Sequence, residues 1–238
     1  MNSELKNMLL KRGADLVGFA GLGSLPPAAN GGWPVGLVIA VALNQDIITR
    51  LPLGPQLDYT REYHRANDLL DSLGLAAEEW LTNRGYPARA VTRARAPYDQ
   101  TAFRTPLPHK TVARLAGLGW IGPSALLVTR EFGGAQRLTS VLTRAPLTVS
   151  ARAAENACGR CRKCREACPG RAISGRPFHP GLDREDFFDP KLCRDTLTAR
   201  GASTPDGRDI YDGATCGLCL ALCPYTRRYL RSGQGRRS

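Results

Sequence analysis

Eight cysteines confined to the last third of the chain carry its most specific chemistry: Cys158, Cys161, Cys164, Cys168, Cys193, Cys216, Cys219 and Cys223. The first four read C-x2-C-x2-C-x3-C and are closed by Pro169. In bacterial iron–sulfur modules such a run wraps one cubane with its first three thiolates and sends the fourth to a second cluster. Cys216, Cys219 and Cys223, closed by Pro224, repeat the pattern without its leading cysteine, which Cys193 supplies from 23 residues upstream. The spacing predicts two 4Fe-4S clusters with crossed ligation. Cys158, Cys161, Cys164 and Cys223 would hold one, and Cys168, Cys193, Cys216 and Cys219 the other.

Two other uses of cysteine compete with this reading. A zinc ribbon takes two separated C-x2-C pairs on one tetrahedral ion, which suits three cysteines at successive x2 gaps poorly. A disulfide framework needs an oxidising compartment. The start, Met1-Asn2-Ser3-Glu4-Leu5-Lys6, shows neither a secretory nor a twin-arginine signal, and the longest apolar run, Val35 to Leu43, is too short to span a bilayer. A cytoplasmic protein that does not enter membranes is the expectation.

The elements that must position these thiolates are of two kinds. With 42% hydrophobic residues the chain can build a real core. Ser3 is placed to cap a helix whose Leu5, Met8 and Leu9 share a face, and Gly13 to stop it. Leu16 to Ala20 and the β-branched run Val35 to Leu43 read as strands. A long helix is expected from Asp58 to Asn83, with Tyr63, Leu70, Leu73, Ala77 and Trp80 or Leu81 at helical spacing, ended by Gly85-Tyr86-Pro87. Ala88 to Thr92, Ala125 to Thr129 and Arg137 to Thr143 are further strands, and Lys110 to Leu115 a helix. The pattern predicts an α/β or α+β domain over residues 1–150, a double-cluster ferredoxin-like module over 151–226 and a basic tail over 227–238. The module is poor in large apolar residues, so its fold is expected to depend on cluster assembly.

The formal charge of +12 overstates the basicity of the loaded protein. Each oxidised cluster with its thiolates contributes about −2, leaving roughly +8. Arg160, Arg162, Lys163 and Arg165 cluster among the cysteines, and Arg227, Arg228, Arg231, Arg236 and Arg237 follow them. Such a surface suits RNA phosphates or an acidic redox partner as readily as plain solvation. Gly117-Leu118-Gly119-Trp120-Ile121-Gly122 matches the dinucleotide pattern G-x-G-x-x-G, but it follows a helical segment, precedes a strand and has no carboxylate about 20 positions on. A helix-to-strand turn is the simpler use of it.

Leu107 to Thr143, with Ala116-Gly117-Leu118-Gly119-Trp120-Ile121-Gly122 and Ala125-Leu126-Leu127-Val128, resembles the core of the epoxyqueuosine reductases. So do Asp58-Tyr59 through Tyr63-His64-Arg65, and the cysteine pattern from Cys158 to Pro224. The resemblance implies a nitroreductase-like, cobalamin-binding α/β domain joined to the cluster module, an architecture shared with reductive dehalogenases. It places cofactor contacts at Tyr63, His64 and Lys110 and along the turn at Gly117, Gly119, Trp120, Gly122 and Ser124. Glycines suit close approach because they carry no Cβ. Flavin is the other cofactor the fold relationship allows.

The family's presumed proton donor is an aspartate ahead of this turn, and anchoring on Pro106 and Ala116-Gly117 puts Phe103 there. A phenyl ring donates no proton, so Tyr98, Asp99 and His109 become the candidate catalytic groups. His109 is attractive because an unperturbed imidazole titrates near neutrality. The resemblance implies an iron–sulfur oxidoreductase fed by a low-potential electron donor and delivering electrons to a corrinoid or small-molecule substrate. A non-catalytic electron carrier or cobalamin-handling protein is the rival. A tRNA-modifying reductase is a third reading, set against helical repeats that full-length reductases carry beyond the position where this chain stops, 15 residues after Cys223.

Overall fold

The structure is a computed structural model that describes residues 1–54, 57–199 and 216–234. By packing the chain divides into two compact units that interleave in sequence. One comprises Met1–Ala42, Ala66–Trp120 and Arg137–Glu155, the other Leu43–Arg65, Ile121–Gln136 and Asn156–Ser238. The second thus draws two segments from the region expected to belong wholly to the N-terminal domain.

The elements of the first part of the chain are α1 (Asn2–Lys11), β1 (Leu16–Gly21), α2 (Pro27–Asn30), β2 (Val35–Ala42), α3 (Gln45–Arg50) and α4 (Leu57–Thr82). They are followed by β3 (Ala88–Val91), α5 (His109–Leu115), β4 (Gly119–Ile121), β5 (Leu127–Thr129) and β6 (Gln136–Thr143). Ser3 lies inside α1, and Met1 occupies the cap position without a side-chain bond. In the first unit a four-stranded sheet runs β1-β2-β6-β3, with β1 antiparallel to β2 and β3 antiparallel to β6. Leu37 to Val41 of β2 are essentially inaccessible, as expected for a central strand. On α4, Leu70, Leu73, Ala77 and Leu81 form the core stripe. Trp80 turns outward, with the Arg84 guanidinium 3.6 Å over its ring.

Two strand glycines decide where α5 rests. A Cβ on Gly18 would come within 2.9 Å of Ala116, and one on Gly36 within 2.8 Å of Val112. Side chains there would lift α5 off β1 and β2. Gly117, at φ +75°, then turns the chain from α5 toward β4. The G-x-G-x-x-G run is therefore a helix-to-strand turn.

In the second unit the cysteines are carried by short elements: α6 (Lys163–Glu166), α7 (Pro190–Ala199), α8 (Leu218–Ala221) and α9 (Pro224–Gln234). Ile121, Ala125 and Phe187 form a small core, with Phe178, Leu182 and Phe188 packed on it. Arg227, Arg228 and Arg231 sit on α9, so this part of the expected tail is helical. Arg236 and Arg237 lie outside the described residues. Among the described residues no helix is long and apolar enough to cross a membrane.

Candidate metal centres

All eight cysteines are described, half-buried and free of disulfides. Their electrostatic neighbours sort them into two groups. Burial, and then the charges of Cys158, Cys223 and Cys161, push the Cys164 thiol up to about 11. Burial, then Cys216 and Cys168, push Cys193 up to about 11. Cys219 is raised by burial and then by Cys216, Cys193, Cys164 and Cys168, so the two groups adjoin at Cys219. Thiols that oppose one another's ionisation in this way are a donor set that becomes thiolate when a cation neutralises it.

The surroundings fit a cluster. A largely apolar cavity of about 120 Å³ is lined by Cys158, Cys161, Cys164, Cys219 and Cys223, with Leu126, Val128 and Leu220 around them. A Cβ on Gly122 would stand 3.2 Å from Val128 and 3.6 Å from the Cys158 Sγ, so this glycine keeps the wall thin beside a sulfur. Backbone donors also serve the sulfurs, the Ala172 N–H bonding to the Cys168 Sγ at 3.3 Å. Among the described residues no three His, Cys, Asp or Glu side chains converge on one metal ion. A cubane asks its thiolates to surround a volume, with one sulfur to each iron.

The fourth cysteine of the first group is placed by α9. Pro224 opens that helix directly after Cys223, and the Cys223 carbonyl accepts from the Arg227 N–H at 2.9 Å. Thr226 is fully buried and accepts the Gly134 N–H at 2.9 Å. The Tyr229 hydroxyl donates to the Leu43 carbonyl at 2.9 Å, and its ring meets Phe132 edge-on. Sequence reasoning missed these anchors, because single Gly, Thr and Tyr residues far apart in the chain carry no local signal.

The other expected site residues are divided between the units. Lys110, Gly117, Gly119 and Trp120 belong to the first, and Tyr63, His64, Gly122 and Ser124 to the second. A Cβ on Gly117 would meet the Ser150 Oγ at 3.0 Å and the Arg152 carbonyl at 3.3 Å. The close approach this glycine permits is thus to the protein's own chain. Trp120 is buried, and Ser124 is buried on the wall of the cysteine cavity. Tyr63 and His64 stack edge to face at 5.8 Å.

The candidate acids stand in different settings. Tyr98 is exposed. The Ala102 and then the Thr101 backbone N–H bind the Asp99 carboxylate and hold its pKa below the ordinary value. Asp99 also bridges Arg104 through two backbone bonds, closing a loop in which Phe103 has φ +49°. His109 keeps some surface, but its ring is packed on nearly all sides and its Nδ1 lies 3.0 Å from the Ser140 Oγ. Burial, and then the Arg137 charge, push it down to about 4 against an opposing pull from Asp71. The near-neutral titration that recommended His109 is not retained.

This depression has a stability consequence. Between about pH 6.5 and pH 4 the unfolded chain takes up the His109 proton and the folded chain does not, so stability falls on acidification through that window. The loss approaches about 3 kcal/mol at its acid end. Thermal melts at stepped pH are expected to decline less steeply across the window in His109→Gln, and a parallel decline would show that another group titrates there.

No protein-family model matches the chain. It is 32% identical over 174 residues to the epoxyqueuosine reductase of Atelocyanobacterium thalassa (isolate ALOHA), a match covering 71% of this chain and 50% of the relative. The chain spans about half the length of the curated relatives it matches. A catabolic reductive dehalogenase superposes with TM-score 0.72 at 19% identity, over 98% of this chain and 33% of that one. An epoxyqueuosine reductase solved with an epoxyqueuosine-modified tRNA-Tyr stem loop gives TM-score 0.59 at 19% identity, over 95% of this chain and 65% of that one. Over most of its length the chain is thus similar in sequence to epoxyqueuosine reductases, and it shares their fold.

Proposed function

We propose that the chain is an iron–sulfur oxidoreductase that relays single electrons through two 4Fe-4S clusters to an acceptor held by its α/β part. The observation that carries this reading is the gathering of eight half-buried, disulfide-free thiols in the second unit, five of them around one largely apolar cavity. Cys158, Cys161, Cys164 and Cys223 hold one cluster, and Cys168, Cys193, Cys216 and Cys219 the other. Residues 1–150 would supply the acceptor domain and 151–226 the electron inlet, fed by a low-potential donor. A corrinoid is the acceptor that the relatives favour, and it supplies a cobalt centre reducible at low potential. The chain's own part is to bury the cluster edges, shield the sulfurs with apolar side chains and give them N–H donors such as that of Ala172.

Titration of the anaerobically reconstituted protein with cob(II)alamin tests the acceptor. A base-off EPR spectrum that saturates at about one corrinoid per chain is expected. An unchanged spectrum at saturating corrinoid would remove cobalamin from the reading and leave an electron carrier. That second reading has an observation in its favour, since Phe103 replaces the family acid and neither His109 nor Asp99 stands ready to replace it.

A tRNA substrate is supported by the reductase solved with a tRNA stem loop and by the exposed Arg160, Arg162, Arg227 and Arg228. It would give a salt-sensitive gel shift.

A further inference from the structure

In the first unit β3 and β6 pair so that Arg89 faces Leu142 and Val91 faces Ser140. These four side chains lie on one face of the sheet by strand alternation. With Trp33 and Leu107 they line a cavity of about 180 Å³. That is room for roughly six waters at about 30 Å³ each, the space of a single-ring organic molecule.

The charge in this cavity is nearly balanced. Arg95 also lines it, but its guanidinium is held by Glu78 at 2.7 Å. Arg89 is exposed, and its guanidinium makes no hydrogen bond or ion pair with a described residue. One guanidinium is therefore free to bind, in the fork geometry that matches a carboxylate. The floor adds Val91, Leu107 and Leu142, and the wall an indole whose ring has the Arg144 guanidinium 5.6 Å from its centroid. Beside Arg89 the sheet face offers the Ser140 hydroxyl, paired with the His109 Nδ1 at 3.0 Å. That pair can present a donor or an acceptor, depending on which partner gives the proton.

We propose that this cavity binds a small planar organic monoanion, an aromatic carboxylate of benzoate size, with its carboxylate on Arg89 and its ring between Trp33 and the apolar sheet face. A multiply charged anion such as phosphate suits it poorly, because one free guanidinium and an apolar floor leave most of such a charge unpaired. The cavity lies within the first unit and none of the cysteines line it, so the outcome of the cobalamin titration does not decide it.

Isothermal titration of the cluster-loaded protein with benzoate tests it. Saturable binding is expected, weakened at least tenfold in Arg89→Gln, weakened in Trp33→Leu, and unchanged in Arg84→Ala, whose arginine lies on α4 against Trp80. Inorganic phosphate is expected not to displace benzoate. Should Arg89→Gln fail to fold, the Trp33→Leu arm and the phosphate competition still decide. Absence of benzoate binding, equal binding by the Arg89 and Trp33 variants, or displacement by equimolar phosphate would overturn the proposal.

Discussion

Replacing Cys193 with alanine is expected to lower the iron of the reconstituted protein from about eight to about four atoms per chain. The reason is geometric. Cys193 opens no motif of its own and lies on α7, yet its electrostatic neighbours are Cys216 and Cys168, which come from different motifs. Removing one thiolate from a half-buried four-sulfur site leaves an iron that water must ligate, and such a cluster is lost on handling. The crossed wiring makes a sharper forecast. Cys168→Ala and Cys193→Ala should give the same residual spectrum although they sit in different segments. Cys164→Ala and Cys223→Ala should share the other. An uncrossed arrangement would instead pair Cys164 with Cys168, so equal residual spectra from those two variants would refute the wiring.

Why the cysteine pattern is legible in the sequence while other parts are not follows from how each is specified. Seven of the cysteines stand at local gaps of two and three residues, which can be counted without knowing the fold. The long helix was equally legible, since Leu70, Leu73 and Ala77 repeat at helical spacing and Gly85 follows the end. Between Trp80 and Leu81 the pattern was silent, and burial chose Leu81 while Arg84 covered the indole. The cap at Ser3 misled because nothing local distinguishes a capping serine from one at the second position of the helix. The aromatic-anion cavity had no signal at all. Arg89 and Ser140 become neighbours only through the β3–β6 register, which sequence spacing does not reveal. His109 illustrates the same limit for chemistry, as its ordinary pKa is a property of the free side chain and burial removed it.

Gly133→Ala is expected to disturb one cluster from outside the cysteine motifs. Gly133 has φ +60° and bridges Thr129 by backbone bonds of 2.8 and 3.1 Å, so its conformation is fixed on both sides. A Cβ there would run into the backbone nitrogen of Thr226 in the first turn of α9. Thr226 cannot retreat freely, being fully buried and bonded to the Gly134 N–H. The helix start must shift, and Cys223 precedes it by one residue. Overpacking of this kind costs about 1–3 kcal/mol, with the left-handed conformation adding about 1–2. A lowered melting temperature is therefore expected together with loss of one iron from the Cys158, Cys161, Cys164 and Cys223 group, visible as a 3Fe-4S EPR signal. Gly85→Ala separates the two costs, since Gly85 has φ +81° and open space around it. It should lower stability through backbone strain alone and leave the iron untouched. A Gly133→Ala protein that keeps about eight irons and shows no 3Fe-4S signal would mean that Cys223 is held by the cluster, with α9 contributing nothing to its position.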